Sequence, residues 1–434
     1  MNAFHERPAD ATITAVADAV RDRLLGEVDT AVVMHDLDLL ETRIGQLRAS
    51  FPASTLHAFA IKANPLVELL TRAVKHGMGL EAASIEEVHL ALAAGCPPNR
   101  IVFDSPAKTR AEIRFALERG IRLNADNFDE LDRIVDERPE DSTSIIGLRL
   151  NPLIGDGRIP TTSVAGSSSK FGERIDSVAE PLLARARRHP FLRCLHFHIG
   201  SQGMALDAFA AAAERVAAMQ HLLNDSLGRH QFDVVDVGGG ASTDYTGDDV
   251  VDPVMIGDSL RLAAPCWFDG STELVTEFGR AVLANCGWAL TRVEYVKQID
   301  GRPMAVVHLG ADMLMRPVYQ PEHWRHRFSA LPESGRVRSE KTGGWTVSGP
   351  LCFAADIVGR EADLSADVQP GDWLVVHDAG AYTLSMWSRH CNRAMPAAYG
   401  YEATDDGWWF SLLRPRERPE DVVAFWSSGP SGDR

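Results

Sequence analysis

The stretch HAFAIKANPLVELLTRAVKHG (residues 57–77) runs from an apolar, strand-like segment through a lysine and a turn-like Ala-Asn-Pro into an amphipathic helical pattern that stops at glycine. An ammonium ion is costly to desolvate. Lys62 therefore either snorkels out of the strand end into water or stands there for a purpose. The unit of strand, turn and helix recurs. Strand-like runs follow at 56–64, 78–84, 100–106, 121–127, 144–152, 192–201, 232–240 and 273–280, separated by helical patterns such as IEEVHLALAAG, TRAEIRFALERG and DAFAAAAERVAAMQHLL. Several of the helical patterns end in glycine, a natural helix stop. Eight strands alternating with helices is the count of a closed (β/α)8, TIM-like barrel, an α/β fold.

After about residue 285 the pattern changes. VEYVKQI, MAVVHLGA, WTVSGPLC and WLVVHDAGAYT are strand-like and divided by Gly, Pro and Asp, with little helical periodicity. The 434 residues thus divide into a barrel over 30–285 and a mostly β second domain, a β-barrel or sandwich, over 286–425. The early run TAVVMHD (30–36) is available to join the second domain as an added strand. The Gly/Ser-rich segment 155–172 reads as a long, mobile loop over the barrel mouth. The C-terminal SSGPSGDR reads as frayed, and no repeat of 20–50 residues stands out beyond the β/α alternation.

A net charge of −16 argues against nucleic acid or an anionic membrane as a partner through bulk electrostatics. The six cysteines are scattered, with no CxxC pair and no zinc-type Cys/His spacing, which suits a reducing cytoplasm. The first thirty residues lack the basic start and apolar core of a signal peptide. No apolar run approaches membrane-spanning length. Only six of the 44 lysines and arginines are lysines, so candidates for amine chemistry are few.

Polar and glycine residues gather at the C-terminal ends of the strand-like runs: Lys62, Ser84, Arg149, His198, Ser201, Gly238–Gly240, Glu277 and Arg280. In a (β/α)8 barrel that rim is where active sites are built. A lysine there can form a Schiff base when its surroundings favour the neutral amine. The glycines of VGGG (237–240) let backbone N–H groups approach an anion, and Arg280 of EFGR (277–280) adds a bidentate donor set; together they make a phosphate cradle. Taken singly, each is as well explained by a tight structural turn. His196 and His198 share one side of a strand. A metal-ligand role lacks a third ligand at obvious spacing, and an imidazole packed against a cofactor ring fits better, so no metal is expected. Glu277 suits the partner of a pyridine nitrogen, whose protonation makes the ring an electron sink; an ion pair with Arg280 is the structural alternative.

AIKAN, HFHIGSQ, VDVGGG and EFGR, with SSKFG (168–172), GPLCFAAD (349–356) and DAGAYT (378–383) in order, resemble the motifs of the fold-type III pyridoxal-phosphate (PLP) decarboxylases, the diaminopimelate and ornithine decarboxylase family. The resemblance runs from about residue 30 to 410 and is nearer the diaminopimelate branch. It implies pyridoxal 5'-phosphate as cofactor, bonded to Lys62. His198 would stack on the ring and Ser201 would help hold the phosphate. Gly238, Gly239, Gly240, Gly279 and Arg280 would bind the phosphate, and Tyr382 would add a hydroxyl. Glu277 would pair with the pyridine nitrogen. The resemblance further implies a head-to-tail homodimer in which the second subunit offers Cys352, the proton donor to the product carbanion. Asp356 would line the substrate pocket from that same subunit.

Three departures bear on the substrate. Phe353 stands where an acid commonly grips a distal amine. MRPVY (315–319) resembles the branch's Arg-Pro…Tyr clamp with one residue fewer between Pro317 and Tyr319, which leaves Arg316 able to meet a carboxylate. Phe278 and Glu81 replace the usual proline and aspartate. The expectation is a cytoplasmic amino-acid decarboxylase with a changed side-chain pocket, acting on a free or carrier-linked substrate whose distal group is a carboxylate, an amide or apolar. An amino-acid racemase and a non-catalytic PLP binder are the alternatives. Glu277 speaks against the first, and the joint presence of Lys62, His198, Glu277 and Cys352 against the second. A phosphate-metabolite enzyme on a plain barrel leaves Lys62 and Cys352 unexplained.

Overall fold

The computed structural model describes residues 9–21, 25, 28–243, 245, 251–332 and 343–428. Residues 429–434, most of the tail expected to fray, lie outside the described residues. The chain divides into two compact units, one of residues 41–244 with 249–282, the other of residues 1–40 with 245–248 and 283–434.

The strands, in chain order, are β1 (Ala31–Asp36), β2 (Leu56–Ala60), β3 (Gly79–Ala82), β4 (Ile101–Phe103), β5 (Arg122–Ala125), β6 (Ile146–Asn151), β7 (Glu173–Arg174), β8 (Leu192–His198), β9 (Val234–Gly238) and β10 (Glu273–Thr276). They continue with β11 (Gly287–Ile299), β12 (Arg302–Val307), β13 (Phe328–Leu331), β14 (Trp345–Ser348), β15 (Ile357–Ala362), β16 (Trp373–Val376), β17 (Ala397–Thr404) and β18 (Gly407–Arg414). In the first unit β2, β3, β4, β5, β6, β8, β9 and β10 pair in parallel, and the β5–β6 pairing closes the ring. This is the (β/α)8 barrel, with β7 appended to β6.

Local sequence builds the barrel. Helices begin directly after strands on side-chain caps: Ser84, Thr109 and Asn127 each accept from a backbone amide three residues on, and Thr109 with Glu112 makes a capping box. Helices stop where Gly77, Gly95 and Gly120 turn left-handed, at φ of 85°, 76° and 70°. Leu56, Ala58, Val102, Cys194, Val234 and Val275 form one buried cluster. Strands as distant as β4 and β9 can meet only through the barrel interior, so these residues mark the inward face. Stepping two residues along each strand from that apolar layer keeps to the same face and reaches Asp104, His196, Asp236 and Glu277.

The segment 155–172 is fastened rather than trailing. Asn151 Nδ2 donates to the Gly166 carbonyl at 3.0 Å, Thr162 Oγ1 donates to the Gln202 carbonyl at 2.8 Å, and Ser163 bridges to Gly200.

The second unit is a nine-stranded sheet ordered β15-β14-β12-β11-β1-β17-β18, with β16 pairing both β11 and β13. The early run enters it as β1, antiparallel to β11 and parallel to β17. Val32, Met34, Trp288, Leu290, Val375 and Tyr401 pack with Ala15, Val16 and Ala19 of the helix Ala9–Arg21 into its core.

Candidate active site

The polar layer above the apolar one makes the site. Lys62 lies in a single 3-10 turn, Ile61–Ala63, just past β2. Its Nζ donates to both oxygens of Glu81 at 2.8 Å, and its side chain remains 33% exposed while that of Glu81 is fully buried. Burial and the neighbouring Asp104 push the Glu81 carboxyl well above the usual range. For Asp104 burial is outweighed, and the Lys62 charge with a hydrogen bond from Glu81 holds it low. Ionisation is thus disfavoured at Glu81 and favoured at Asp104, the two acids nearest the lysine charge.

Glu277 follows β10 and is 2% exposed. His198 Nδ1 stands 3.2 Å from its Oε2, and His196 Nε2 stands 3.5 Å from its Oε1. Burial first, then Asp236, Asp104 and Glu81, raises the Glu277 carboxyl far above its ordinary value. Burial, helped by Arg149, lowers His196 to about 3 and His198 well below 6.5, so both rings are neutral. The third donor that sequence spacing did not place beside the histidines is thus Glu277: the ligand atoms of His196, His198 and Glu277 lie within 4.8 Å of one another. An acid flanked by two neutral imidazoles equally forms one edge of a site for a planar ring.

The glycines adjoin this acid. A Cβ on Gly238 would lie 2.5 Å from His198 Nδ1 and 2.6 Å from Glu277 Oε2; one on Gly240 would lie 2.9 Å from Ser201 Cβ. Gly239 has φ of 112° and Gly240 donates to the Gly200 carbonyl at 2.7 Å, which folds the loop after β9 against the loop after β8. Gly279 has room for no Cβ either, with Ala63 Cβ at 2.8 Å, and Arg280 beside it is 1% exposed. The barrel unit therefore brings together Lys62, His198, Ser201, Gly238, Gly239, Gly240, Glu277, Gly279 and Arg280.

The remaining expected residues lie in the second unit. Arg316 is sandwiched between Trp324 and Tyr382, its guanidinium carbon 4.4 Å and 4.6 Å from the ring centroids, with Nε 3.3 Å from Met386 Sδ. Tyr382 has φ of 57°, an unusual left-handed backbone for a bulky residue. Cys352 is exposed. Phe353 stacks on Tyr319 at 5.8 Å and meets His390 edge-on at 6.0 Å, while Tyr319 is 60% exposed. Asp356 is 2% exposed, and its carboxylate accepts from the backbone amides of Ala311 at 2.6 Å and Leu351 at 2.8 Å. It ties down the loop that carries Cys352.

Sequence reasoning missed Asp104, Asp236 and His390. The first two had a signal: each continues the inward alternation of its strand, as RIVFD and VVDVG show. His390 had none, because it lies in an irregular segment.

The family model for the pyridoxal-dependent decarboxylase, pyridoxal binding domain, matches residues 37–284. The chain is 32% identical over 376 residues to the diaminopimelate decarboxylase of Pseudomonas aeruginosa, covering 85% of this chain and 86% of that protein. It is 30% identical over 383 residues to the enzyme of the same name from Zymomonas mobilis, covering 85% of each. Among solved structures, diaminopimelate decarboxylase from Helicobacter pylori complexed with L-lysine is similar at a TM-score of 0.82 and 26% identity, over 93% of this chain and 98% of that one. A closed barrel whose rim holds a lysine, a buried acid and a glycine cradle, matched by that family model over the same residues, makes this chain a member of the pyridoxal-dependent decarboxylase family, an amino-acid carboxy-lyase that uses pyridoxal phosphate.

Proposed function

We propose that this decarboxylase acts on an amino acid whose side chain ends in a carboxylate, an amide or an apolar group, with no free distal ammonium. The observation that carries the proposal is Phe353. Where the sequence motif leads one to expect an acid, an aromatic ring stacks on Tyr319 and abuts His390. That surface favours apolar or planar groups and offers no full negative charge to a cation. The guanidinium of Arg316, fixed between two rings, favours the carboxylate version.

The barrel residues fit the coenzyme. Glu277 is a buried carboxyl flanked by two neutral imidazoles, a setting that suits a ring nitrogen, and the three glycines of the loop leave backbone where any side chain would intrude. Pyridoxal phosphate, when bound, supplies the sink for the electron pair left by departing CO2. Lys62 would hold the coenzyme's aldehyde carbon and yield it to the substrate amine. Glu277 would keep the proton on the ring nitrogen. His198, kept neutral by burial, would face the ring without adding charge. Gly238, Gly239, Gly240, Gly279, Ser201 and Arg280 would bind the phosphate, with the Tyr382 hydroxyl. Cys352, exposed and presented by a loop that Asp356 pins, would return a proton to the α-carbon.

The exposed thiol of Cys352 also supports a homodimer with shared sites, and six cysteines left as free thiols support a reducing, cytoplasmic setting. Mixing Lys62→Ala with Cys352→Ala chains tests the sharing, since mixed dimers would regain part of the activity that each parent lacks. The substrate proposal is tested by offering a panel of amino acids and scoring the amine product by mass. Efficient turnover of lysine, ornithine or meso-diaminopimelate would overturn it.

A further inference from the structure

Behind Glu277 lies a second carboxyl that the proposed chemistry does not use. Asp236 on β9 is 1% exposed, and its Oδ2 accepts from Asn124 Nδ2 at 2.8 Å. Its Oδ1 is buried with no donor, as is Oε1 of Glu277, and the two carboxyls are in hydrogen-bonding contact. Two ionised carboxylates in that position would repel, and each would keep a buried oxygen without a donor. A single proton between them removes both penalties. Because Asn124 already donates to Oδ2, a proton held by Asp236 sits on Oδ1. Burial, with Asp104 adding to it, raises Asp236 to about 7, and burial with Asp236 raises Glu277 well above its ordinary value, so the pair shares one proton whose place is set by the charge beside it. Also facing the pair are His196, His198 and Cys194 from β8, Arg122 from β5, Glu81 from β3 and Lys62 just past β2; His196 and His198 are neutral.

We infer that Asp236 is a positioning residue for the reaction: it remains protonated and donates that proton to Glu277, which keeps the Glu277 carboxylate ionised and aimed at the coenzyme's ring nitrogen. The inference rests on the proposed role of Glu277. No proton is consumed: Asp236 keeps its own, Glu277 keeps the negative charge, and the ring nitrogen keeps its hydrogen. A cation beside Glu277 favours this distribution over the one with the proton on Glu277. A fixed donor behind the carboxylate also prevents it from taking the ring proton for itself.

The test uses three variants of the full chain, Asp236→Asn, Asp236→Ala and Glu277→Ala, each stripped of coenzyme and retitrated. Coenzyme affinity and the pH midpoint of the bound coenzyme's visible band are read, with thermal melting as a folding control. Asparagine copies a protonated aspartic acid here, since its carbonyl can accept from Asn124 and its amide can donate to Glu277. D236N is therefore expected to keep the wild-type midpoint, while D236A moves it and weakens coenzyme binding by about tenfold. A D236N midpoint displaced from wild type would mean that Asp236 is ionised, and a D236A protein that behaves as wild type would mean that it does nothing; either overturns the inference. Should D236A not fold, D236N decides alone. If E277A leaves band and affinity unchanged, the role of Glu277 itself fails; if E277A changes them and D236N is displaced, only the inference about Asp236 fails.

Discussion

A single methyl group probes the coenzyme cradle. In Gly238→Ala the new Cβ would lie 2.5 Å from His198 Nδ1, 2.6 Å from Glu277 Oε2 and 3.0 Å from His196 Nε2. Ordinary carbon contacts sit at about 3.5–4 Å, so imidazole and carboxylate must give way by roughly 1 Å. Neither moves freely, because Glu277 is 2% exposed and His198 is held to it at 3.2 Å. Overpacking of this kind costs about 1–3 kcal/mol. Without coenzyme the pair can take up part of that strain by shifting together. With coenzyme both must point at the ring, so the cost falls mainly on the bound state and raises the coenzyme Kd by roughly 5- to 150-fold. The assay is titration of the stripped protein with pyridoxal phosphate, followed by visible absorbance. Gly45→Ala serves as control, since that helical glycine has nothing within 4 Å of a new Cβ; it should leave Kd unchanged and raise Tm slightly. Wild-type affinity in Gly238→Ala would refute the placement of the coenzyme ring beside Glu277 and His198.

Lys108→Met should lower stability by about 3–5 kcal/mol, read by denaturant unfolding, because Lys108 Nζ holds the Ser105 carbonyl at 2.6 Å, the Asn124 carbonyl at 2.8 Å and buried Glu130 at 2.7 Å. His35 and His196 are each lowered to about 3 by burial. Below pH 6.5 the unfolded chain therefore binds protons that the native chain refuses, and stability falls towards pH 3 by up to about 1.4 kcal/mol per pH unit for each; neither imidazole should titrate between pH 5 and 8 by NMR. Phe353→Glu should move selectivity in the amine-product assay towards substrates with a distal ammonium; an unchanged ranking would mean that the ring does not face the side chain. Cys352→Ala should keep wild-type coenzyme affinity while amine formation slows by about 100-fold or more.

Much of the barrel was legible because its signals are local. Asn64-Pro65 after an apolar run, Ser84, Thr109 and Asn127 at helix starts, and glycines at helix ends are decided within a few residues. The inward alternation of RIVFD, HFHIG and VVDVG likewise states which side chains share the interior. What the sequence could not express is which inward acids meet. Glu81 and Asp104 come from adjacent strands, as do Asp236 and Glu277, and whether such acids meet is set by the register of the two strands, which no local pattern encodes. The anchoring of Asp356 was hidden for a related reason. A motif marks the residue as a carboxylate near Cys352, whereas its burial and its two amide donors, one of them Ala311 far back along the chain, appear only once β12 and β14 pair. The aromatic contact of Phe353 with Tyr319 and His390 likewise joins three separate segments.

The most direct measurement is of the bond at Lys62. Protein loaded with pyridoxal phosphate is reduced with borohydride, digested and mapped by mass spectrometry. The expected result is loss of the violet absorbance and one reduced coenzyme adduct, on the peptide containing Lys62, absent from Lys62→Ala. A wild-type protein that carries the adduct on another lysine, or none at all, would contradict the account.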